Sequence, residues 1–246
     1  MQFLALAADY DGTIADNGSV GDATYAALER LKRTGRRLLL VTGRNMASLE
    51  RACHRLDLFD RVVAENGALL YDPATEQERV IAPAPSPTFV ERLRERGVSP
   101  LTVGRSIVAT WRPHERTVLQ VIQELGLALH IVFNKGAVMV LPANVDKASG
   151  LRAALRELHL SARNVVGVGD AENDHAFLDC CGCSAAVANA VPSLKAQAHI
   201  SLDRACGEGV VELARMIERA HSRIVLREPH GVPAGDAIEC RARPST

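Results

Sequence analysis

The stretch Asp9-Tyr10-Asp11-Gly12-Thr13 decides the fold, and it directly follows the apolar run of residues 3–8. A short apolar run that ends at turn residues is typical of a buried strand. In open α/β sheets, ligands bind at the carboxyl ends of the strands. Asp9 and Asp11 therefore lie where a binding crevice is expected, and the turn at Gly12 lets both carboxylates converge. Because two close carboxylates repel each other, the pattern favours a divalent cation with oxygen ligands, such as Mg²⁺.

A second acidic segment follows another short apolar strand, in residues 165–174. Gly169 ends this strand, Asp170 lies at its tip, and Asn173 and Asp174 are expected in the first turn of the next helix. The dipole of that helix accounts for one acid, but not for an aspartate at the strand tip plus an Asn-Asp pair. Together with the acids of the first segment, these residues place four carboxylates at two strand ends.

Two further segments supply partners for an anionic ligand. Thr42-Gly43-Arg44 ends the strand of residues 37–41 and offers a hydroxyl group, backbone N–H groups and a cation. Lys147 begins a helix whose apolar positions recur at helical spacing. Since a lysine in the first helical turn opposes the helix dipole, we expect Lys147 to face the carboxylates and a phosphate group.

The order of elements predicts the domain organisation. Strands and helices alternate in residues 1–68 and again in residues 145–221, which predicts one discontinuous α/β core with a Rossmann-like parallel sheet. Between these parts, hairpins and helices predict an α+β insert with a mostly antiparallel sheet at residues 69–144. Proline and glycine interrupt residues 222–246, which we expect to be a flexible tail or linker.

Taken together and in this order, the four motif segments resemble the signature motifs of the haloacid dehalogenase-like (HAD) superfamily. Glu65-Asn66-Gly67-Ala68, Ala188-Asn189-Ala190 and Gly207-Glu208-Gly209-Val210 resemble its Cof-type branch, subfamily IIB. The resemblance extends over nearly the whole chain. It implies that the insert is a cap domain and that the chain is a Mg²⁺-dependent phosphatase. The implied substrate is a small phosphorylated metabolite, such as a sugar phosphate or phosphoglycolate.

The resemblance also implies a mechanism. Asp9 is the nucleophile and forms an aspartyl-phosphate intermediate, which water then hydrolyses. Asp11 is the general acid that protonates the leaving group and later activates the water. Mg²⁺ is expected on Asp9, on the backbone carbonyl of Asp11 and on Asp170, with Asp174 in support of these ligands.

The residues expected to bind substrate come from the core and from the cap. Thr42 and Lys147 are expected to bind the phosphoryl oxygens, and Asn173 is expected to orient Asp170 or Lys147. Arg112 ends a strand beside a tryptophan, whereas Lys135 lies in a predicted hairpin turn, where an exposed lysine is common. The further candidates are Gly43, Arg44, Asn66, His114 and Asn189.

The composition restricts the partners. The chain has 246 residues with 29 basic and 29 acidic side chains, and this balance creates no field that attracts nucleic acid. No apolar stretch reaches the ~18 residues of a membrane span, and the amino terminus carries no basic leader. We therefore expect a cytoplasmic enzyme without nucleic-acid or membrane partners; the sequence leaves the oligomeric state open.

Three other functions were weighed. A dehalogenase is disfavoured, because it needs neither Mg²⁺ nor the second acid at Asp11. A phosphomutase stays open, because it forms the same aspartyl-phosphate and differs only in the acceptor. A regulatory domain that senses a phosphorylated metabolite within a larger, ATPase-linked protein is the third, based on the tail, but Asp9 and Lys147 argue against a purely binding role.

Overall fold

The computed structural model describes residues 3–224 of the chain. Residues 225–246, which make up most of the predicted tail, lie outside the described residues, so its role as a linker stays a prediction. The described part forms two β-sheets with helices packed around them. None of its helices combines the length and the hydropathy that a membrane span requires.

The described residues contain twelve strands and eight α-helices. The strands are β1 (Ala5–Ala8), β2 (Arg37–Val41), β3 (Arg61–Ala64), β4 (Leu69–Asp72), β5 (Gln77–Val80), β6 (Thr102–Val103), β7 (Val108–Trp111), β8 (Leu129–Asn134), β9 (Ala137–Pro142), β10 (Val165–Gly169), β11 (Cys183–Ala186) and β12 (Ile200–Ser201). The helices are α1 (Asp22–Arg33), α2 (Met46–Ala52), α3 (Pro87–Glu95), α4 (Glu115–Glu124), α5 (Lys147–Glu157), α6 (His175–Cys180), α7 (Pro192–Gln197) and α8 (Cys206–Ile224).

The larger sheet has the strand order β12-β11-β10-β1-β2-β3-β4-β5. The strands from β12 to β3 run parallel, and β1 at their centre is buried along its whole length, as expected for a parallel strand covered on both faces. The chain proceeds from β1 to β2 and β3 on one side and returns as β10 on the other. Such a switch point opens a crevice at the carboxyl ends of the strands. The predicted fold class, a Rossmann-like core with an inserted second sheet, is confirmed.

The smaller sheet has the antiparallel order β6-β7-β9-β8. Successive side chains of β9 point to opposite faces of this sheet, as in any strand, and they pack in two different apolar clusters. Val138 and Val140 pack with the helices α3 and α4 in a core of their own. Met139 and Leu141 pack on the opposite face, in a cluster that also contains Ala68 of the larger domain. The second face of this sheet therefore rests on the core.

The hairpin of β4 and β5 belongs to the larger sheet, although the sequence analysis assigned it to the insert. β4 pairs antiparallel with β3, and Leu69 and Leu70 are buried in the main hydrophobic core. Local sequence defines a hairpin, but the sheet edge that it joins depends on long-range packing. We therefore propose that the insert, hereafter the cap, spans residues 83–143 rather than 69–144.

A buried carboxylate joins the cap to the core. Glu65 accepts hydrogen bonds from the backbone N–H groups of Arg105 (2.8 Å), Ser106 (2.7 Å) and Ile107 (3.1 Å). These residues lie in the connection between β6 and β7. Because buried N–H groups need acceptors, Glu65 stabilises this loop and holds it against the core.

Replacing Glu65 by glutamine is expected to destabilise the protein by about 1–3 kcal/mol, because the amide N–H₂ would face backbone donors and leave one of them unpaired. Urea unfolding measures this loss, and hydrogen exchange should show faster exchange at residues 105–107. Glu78→Gln is the matched control, since Glu78 makes only a surface ion pair with Arg105, worth less than about 1 kcal/mol. Equal losses in both variants would contradict the assigned role of Glu65.

Candidate active site

Three aspartates form a buried acidic cluster at the switch point of the sheet. Asp9 follows β1, Asp170 follows β10, and Asp174 lies in the 3₁₀ turn of residues 172–174. One carboxylate oxygen of each lies within 4.8 Å of the others. Burial and the neighbouring Asp174 raise the pKa of Asp9 well above its usual range, against the effect of the adjacent lysine. Hard oxygen donors in this number fit a Mg²⁺ ion.

Lys147 balances two of these carboxylates from the first turn of α5. Its Nζ donates to Asp9 Oδ1 and to Asp174 Oδ1, both at 2.6 Å, and its side chain is only 1% exposed. Burial alone would lower the pKa of Lys147, but Asp174 and Asp9 raise it above its ordinary value. The lysine is therefore a permanent cation inside the site.

The start of α5 is fixed by its cap and by a close backbone contact. Asp146 accepts from the N–H of Ser149 at 2.7 Å in a capping box. Gly67 has φ +105°, and a Cβ there would collide with the carbonyl oxygen of Asp146. Only glycine lets the turn after β3 approach α5 this closely, and this approach sets the position of Lys147.

Backbone donors orient Asp174. Its Oδ2 accepts from the N–H groups of Asp170 (2.8 Å) and Ala171 (2.9 Å). A Cβ at Gly169 would lie 2.6 Å from the same oxygen, so the strand must end in glycine here. Asp174 thus turns its other oxygen towards Lys147, and the acidic cluster is held by the backbone.

Thr13 is a site residue that the sequence analysis did not single out. Its Oγ1 lies 3.2 Å from Asp9 Oδ2 and 3.0 Å from Asp170 Oδ1, and the side chain is buried. The hydroxyl group therefore bridges the carboxylates that follow β1 and β10. The sequence shows that Thr13 belongs to the Asp-Tyr-Asp-Gly-Thr motif, but it does not show in which direction the side chain points.

Asp11 does not join the acidic cluster through its side chain. Its carboxylate makes a bidentate pair with Arg44, with Nε–Oδ2 and Nη2–Oδ1 distances of 2.7 Å each. Arg44 also lies over the ring of Tyr10, 5.0 Å from its centroid. Two parallel charge-assisted hydrogen bonds fix the orientation of both groups, so Arg44 holds Asp11 at the edge of the site.

The remaining core candidates surround the cluster. Thr42 is buried, and its Oγ1 accepts from the N–H of Arg44 at 3.1 Å. Asn66 Oδ1 accepts from Asn173 Nδ2 at 3.0 Å. Asn189 donates from Nδ2 to the carbonyl oxygen of Gly12 at 2.8 Å. The structure thus brings these side chains to the carboxyl ends of the strands.

The candidates in the cap, and Gly43 of the core opposite them, differ in their distance from the acidic cluster. Gly43 faces the cap, since a Cβ on it would lie 3.3 Å from Met139 Sδ. Lys135 reaches the cluster and forms an ion pair with Asp170. Arg112 instead packs over the ring of Phe133, 5.1 Å from its centroid, and His114 hydrogen-bonds Ser99. A role of Arg112 in substrate binding stays a prediction.

Fold and site together define a capped α/β enzyme whose candidate active site is a cluster of carboxylates around one buried lysine. The family model described as haloacid dehalogenase-like hydrolase matches residues 6–110 and 131–213. The chain belongs to this family, as its motifs predicted.

Relatives and solved structures agree with this membership. A phosphoglycolate phosphatase of Haloarcula marismortui is 32% identical over 216 residues, covering 84% of this chain and 94% of that protein. A haloacid dehalogenase-like hydrolase from Bacteroides thetaiotaomicron superposes with a TM-score of 0.74 at 18% identity, covering 89% of this chain and 99% of that one. A HAD subclass IIB sugar phosphatase has a TM-score of 0.69 at 17% identity, covering 90% and 99%. The two structural matches carry the fold alone.

Proposed function

We propose that the chain is a Mg²⁺-dependent phosphatase that hydrolyses a small phosphorylated metabolite through an aspartyl-phosphate on Asp9. Its class, a phosphoric monoester hydrolase, follows from its family and from a relative named phosphoglycolate phosphatase. Our proposal goes beyond this class in three points: the metal, the intermediate and the size of the substrate. The observation that supports them is the buried Asp9, paired with Lys147 among further carboxylates at the switch point of the sheet.

The residues present fit a divalent cation. Carboxylate oxygens of Asp9 and Asp170, with the backbone carbonyl of Asp11, would hold Mg²⁺, and Asp174 would support them through its place in the cluster. The ion would supply positive charge to the phosphoryl oxygens. The raised pKa values of Asp9 and Asp170, caused first by burial, agree with carboxylates that need such a counter-charge.

Asp9 and Asp11 carry the two chemical steps. An oxygen of Asp9 attacks phosphorus, the ester P–O bond breaks, and the leaving oxygen takes a proton from Asp11. A water molecule then gives one of its own protons to Asp11 and attacks the phosphorus, which breaks the bond to Asp9, releases phosphate and restores Asp9. In the structure Asp11 is paired with Arg44 at the edge of the cluster. To act as the acid, Asp11 leaves this pair and takes up a proton before the leaving group departs.

Positive charge and hydrogen-bond donors bind the phosphoryl group. Lys147 stays charged inside the site, and the Thr42 hydroxyl lies at the end of the neighbouring strand β2. The charge of a transferring phosphoryl group is spread over its oxygens, so fixed groups of this kind account for most of the rate acceleration. The cap rests on the core through Met139 and Leu141, and this close packing supports a small metabolite as the substrate.

Metal dependence tests the proposal. Phosphate release from phosphoglycolate, sugar phosphates and p-nitrophenyl phosphate should fall at least about 100-fold in EDTA and return with Mg²⁺. Mg²⁺ should also raise the thermal unfolding midpoint, and Asp170→Asn should abolish this rise. Asp57→Asn, at an exposed ion pair, should keep it. Full activity in EDTA would contradict the proposal, and an isomerised product without free phosphate would indicate a phosphomutase.

A further inference from the structure

The cap places a cation at the acidic cluster. Lys135 lies in the turn between β8 and β9, and its Nζ forms an ion pair with Asp170 Oδ2. A Cβ at Gly12 would lie 2.6 Å from this nitrogen, so the ammonium group lies directly against the motif that carries Asp9. Its side chain is 49% exposed, and part of it is therefore open to a ligand.

Lys135 adopts a left-handed backbone conformation in this turn. Lys135 has φ +46° and Gly136 has φ +91°, so both central residues of the hairpin turn are left-handed. Asparagine followed by glycine is preferred in such turns, and a lysine is disfavoured at the first position. Strain at a single residue beside an active site points to a role for its side chain.

Lys135 is a positive charge that the carboxylates of the site do not require once Arg44, Lys147 and a divalent cation are counted. Asp11 is neutralised by Arg44. The three carboxylates of the cluster would be balanced by Lys147 and one divalent cation. Lys135 is the remaining positive group, and it comes from the cap rather than from the core that binds the phosphoryl group.

Polar atoms without partners lie on β8 and on the turn of residues 172–174 that β8 contacts. β8 packs against the turn of residues 172–174, and His130 and Asn134 alternate along β8 with residues of the cap's own core. Among the described residues, His130 Nδ1, Asn134 Oδ1 and Asn173 Oδ1 are buried without a hydrogen-bond partner. Because buried polar atoms are normally paired, these atoms are available to hydrogen-bond a polar ligand.

We propose that Lys135 is a specificity-determining residue that binds a carboxylate on the leaving group, so that the preferred substrate is the phosphate ester of a short hydroxy acid. The inference rests on the proposed phosphatase function and narrows it, because a neutral sugar phosphate offers no anion to this lysine. The ester is oriented by Lys147 at its phosphoryl end and by Lys135 at its carboxylate end.

Two esters that differ only in the carboxylate test the proposal: 2-phosphoglycolate and 2-hydroxyethyl phosphate. The unaltered protein should prefer phosphoglycolate. Lys135→Met should lower kcat/KM for phosphoglycolate about 10- to 100-fold, the value of a hydrogen bond to a charged group, mainly through KM. The same variant should change kcat/KM for hydroxyethyl phosphate less than about 3-fold.

Two further variants complete the experiment. Arg116→Met removes a positive charge from exposed α4 of the cap and should leave both esters unaffected. Lys135→Asn places the residue that the turn prefers, so it keeps the hairpin folded and should reproduce the loss seen with methionine. Thermal unfolding of each variant confirms that the cap is intact.

The outcomes separate this inference from the function on which it rests. An equal loss for both esters would assign Lys135 to the phosphoryl group and overturn the inference, as would no loss in either. Hydrolysis of hydroxyethyl phosphate and p-nitrophenyl phosphate, but not of phosphoglycolate, would overturn the inference and retain the phosphatase. Absence of phosphate release from all three esters would overturn the phosphatase itself, and the inference with it.

Discussion

Replacing Asp9 by asparagine is expected to lower kcat for every phosphate ester by more than about 10⁴-fold, because a neutral amide cannot attack phosphorus. The fold should survive. Asparagine keeps the size of the side chain, Asp174 remains as a partner of Lys147, and one of three mutually repelling carboxylates is removed. The measurements are phosphate release under saturating Mg²⁺ and urea unfolding, in which the stability should change by less than about 2 kcal/mol.

Asp11→Asn is the matched comparison, because it keeps the nucleophile and removes the proton donor. With p-nitrophenyl phosphate, whose leaving group needs no protonation, this variant should still release one equivalent of p-nitrophenol in a burst. Asp9→Asn should show no burst. A burst from Asp9→Asn, or acid-stable label from the phosphoryl group on that variant, would assign the nucleophile to another residue.

Replacing Lys147 by methionine is expected to destabilise the protein by about 3–5 kcal/mol, the typical cost of leaving a buried charge unpaired. Asp9 and Asp174 each lose an ammonium partner at 2.6 Å, and both are buried with Asp170 beside them. Activity should fall as well, because the phosphoryl group loses its core cation. Urea unfolding in EDTA measures the stability without a contribution from bound metal.

Two comparisons make this result specific. Lys32→Met removes a lysine that donates to the backbone carbonyl of Leu58, and it should cost about 1 kcal/mol. The double variant Asp9→Asn/Lys147→Met should recover part of the loss, since one unpaired carboxylate is then gone. Equal stability of Lys147→Met and Lys32→Met would show that the charge of Lys147 does not hold the cluster together.

The parallel core could be read from the sequence because its signals are local. Aspartate follows the apolar run of residues 3–8, and glycine and aspartate follow the run of residues 165–168. Apolar periodicity separates both runs from the helices. The carboxyl ends of parallel strands share one edge, so the sequence places Asp9 and Asp170 at that edge before any coordinates are known. The hairpin of β4 and β5 was recognised as a hairpin, but its sheet was not.

The side-chain partners could not be read in this way. Lys135 and Arg112 are both cations in the cap, yet Lys135 reaches Asp170 while Arg112 packs over Phe133. Asp11 pairs with Arg44 outside the acidic cluster. The sequence by itself determined the class of fold and the strand ends that carry the acids, because these depend on periodicity and turn residues. Only the tertiary structure decided which charges meet, because that depends on side-chain direction and on packing between segments far apart in the chain.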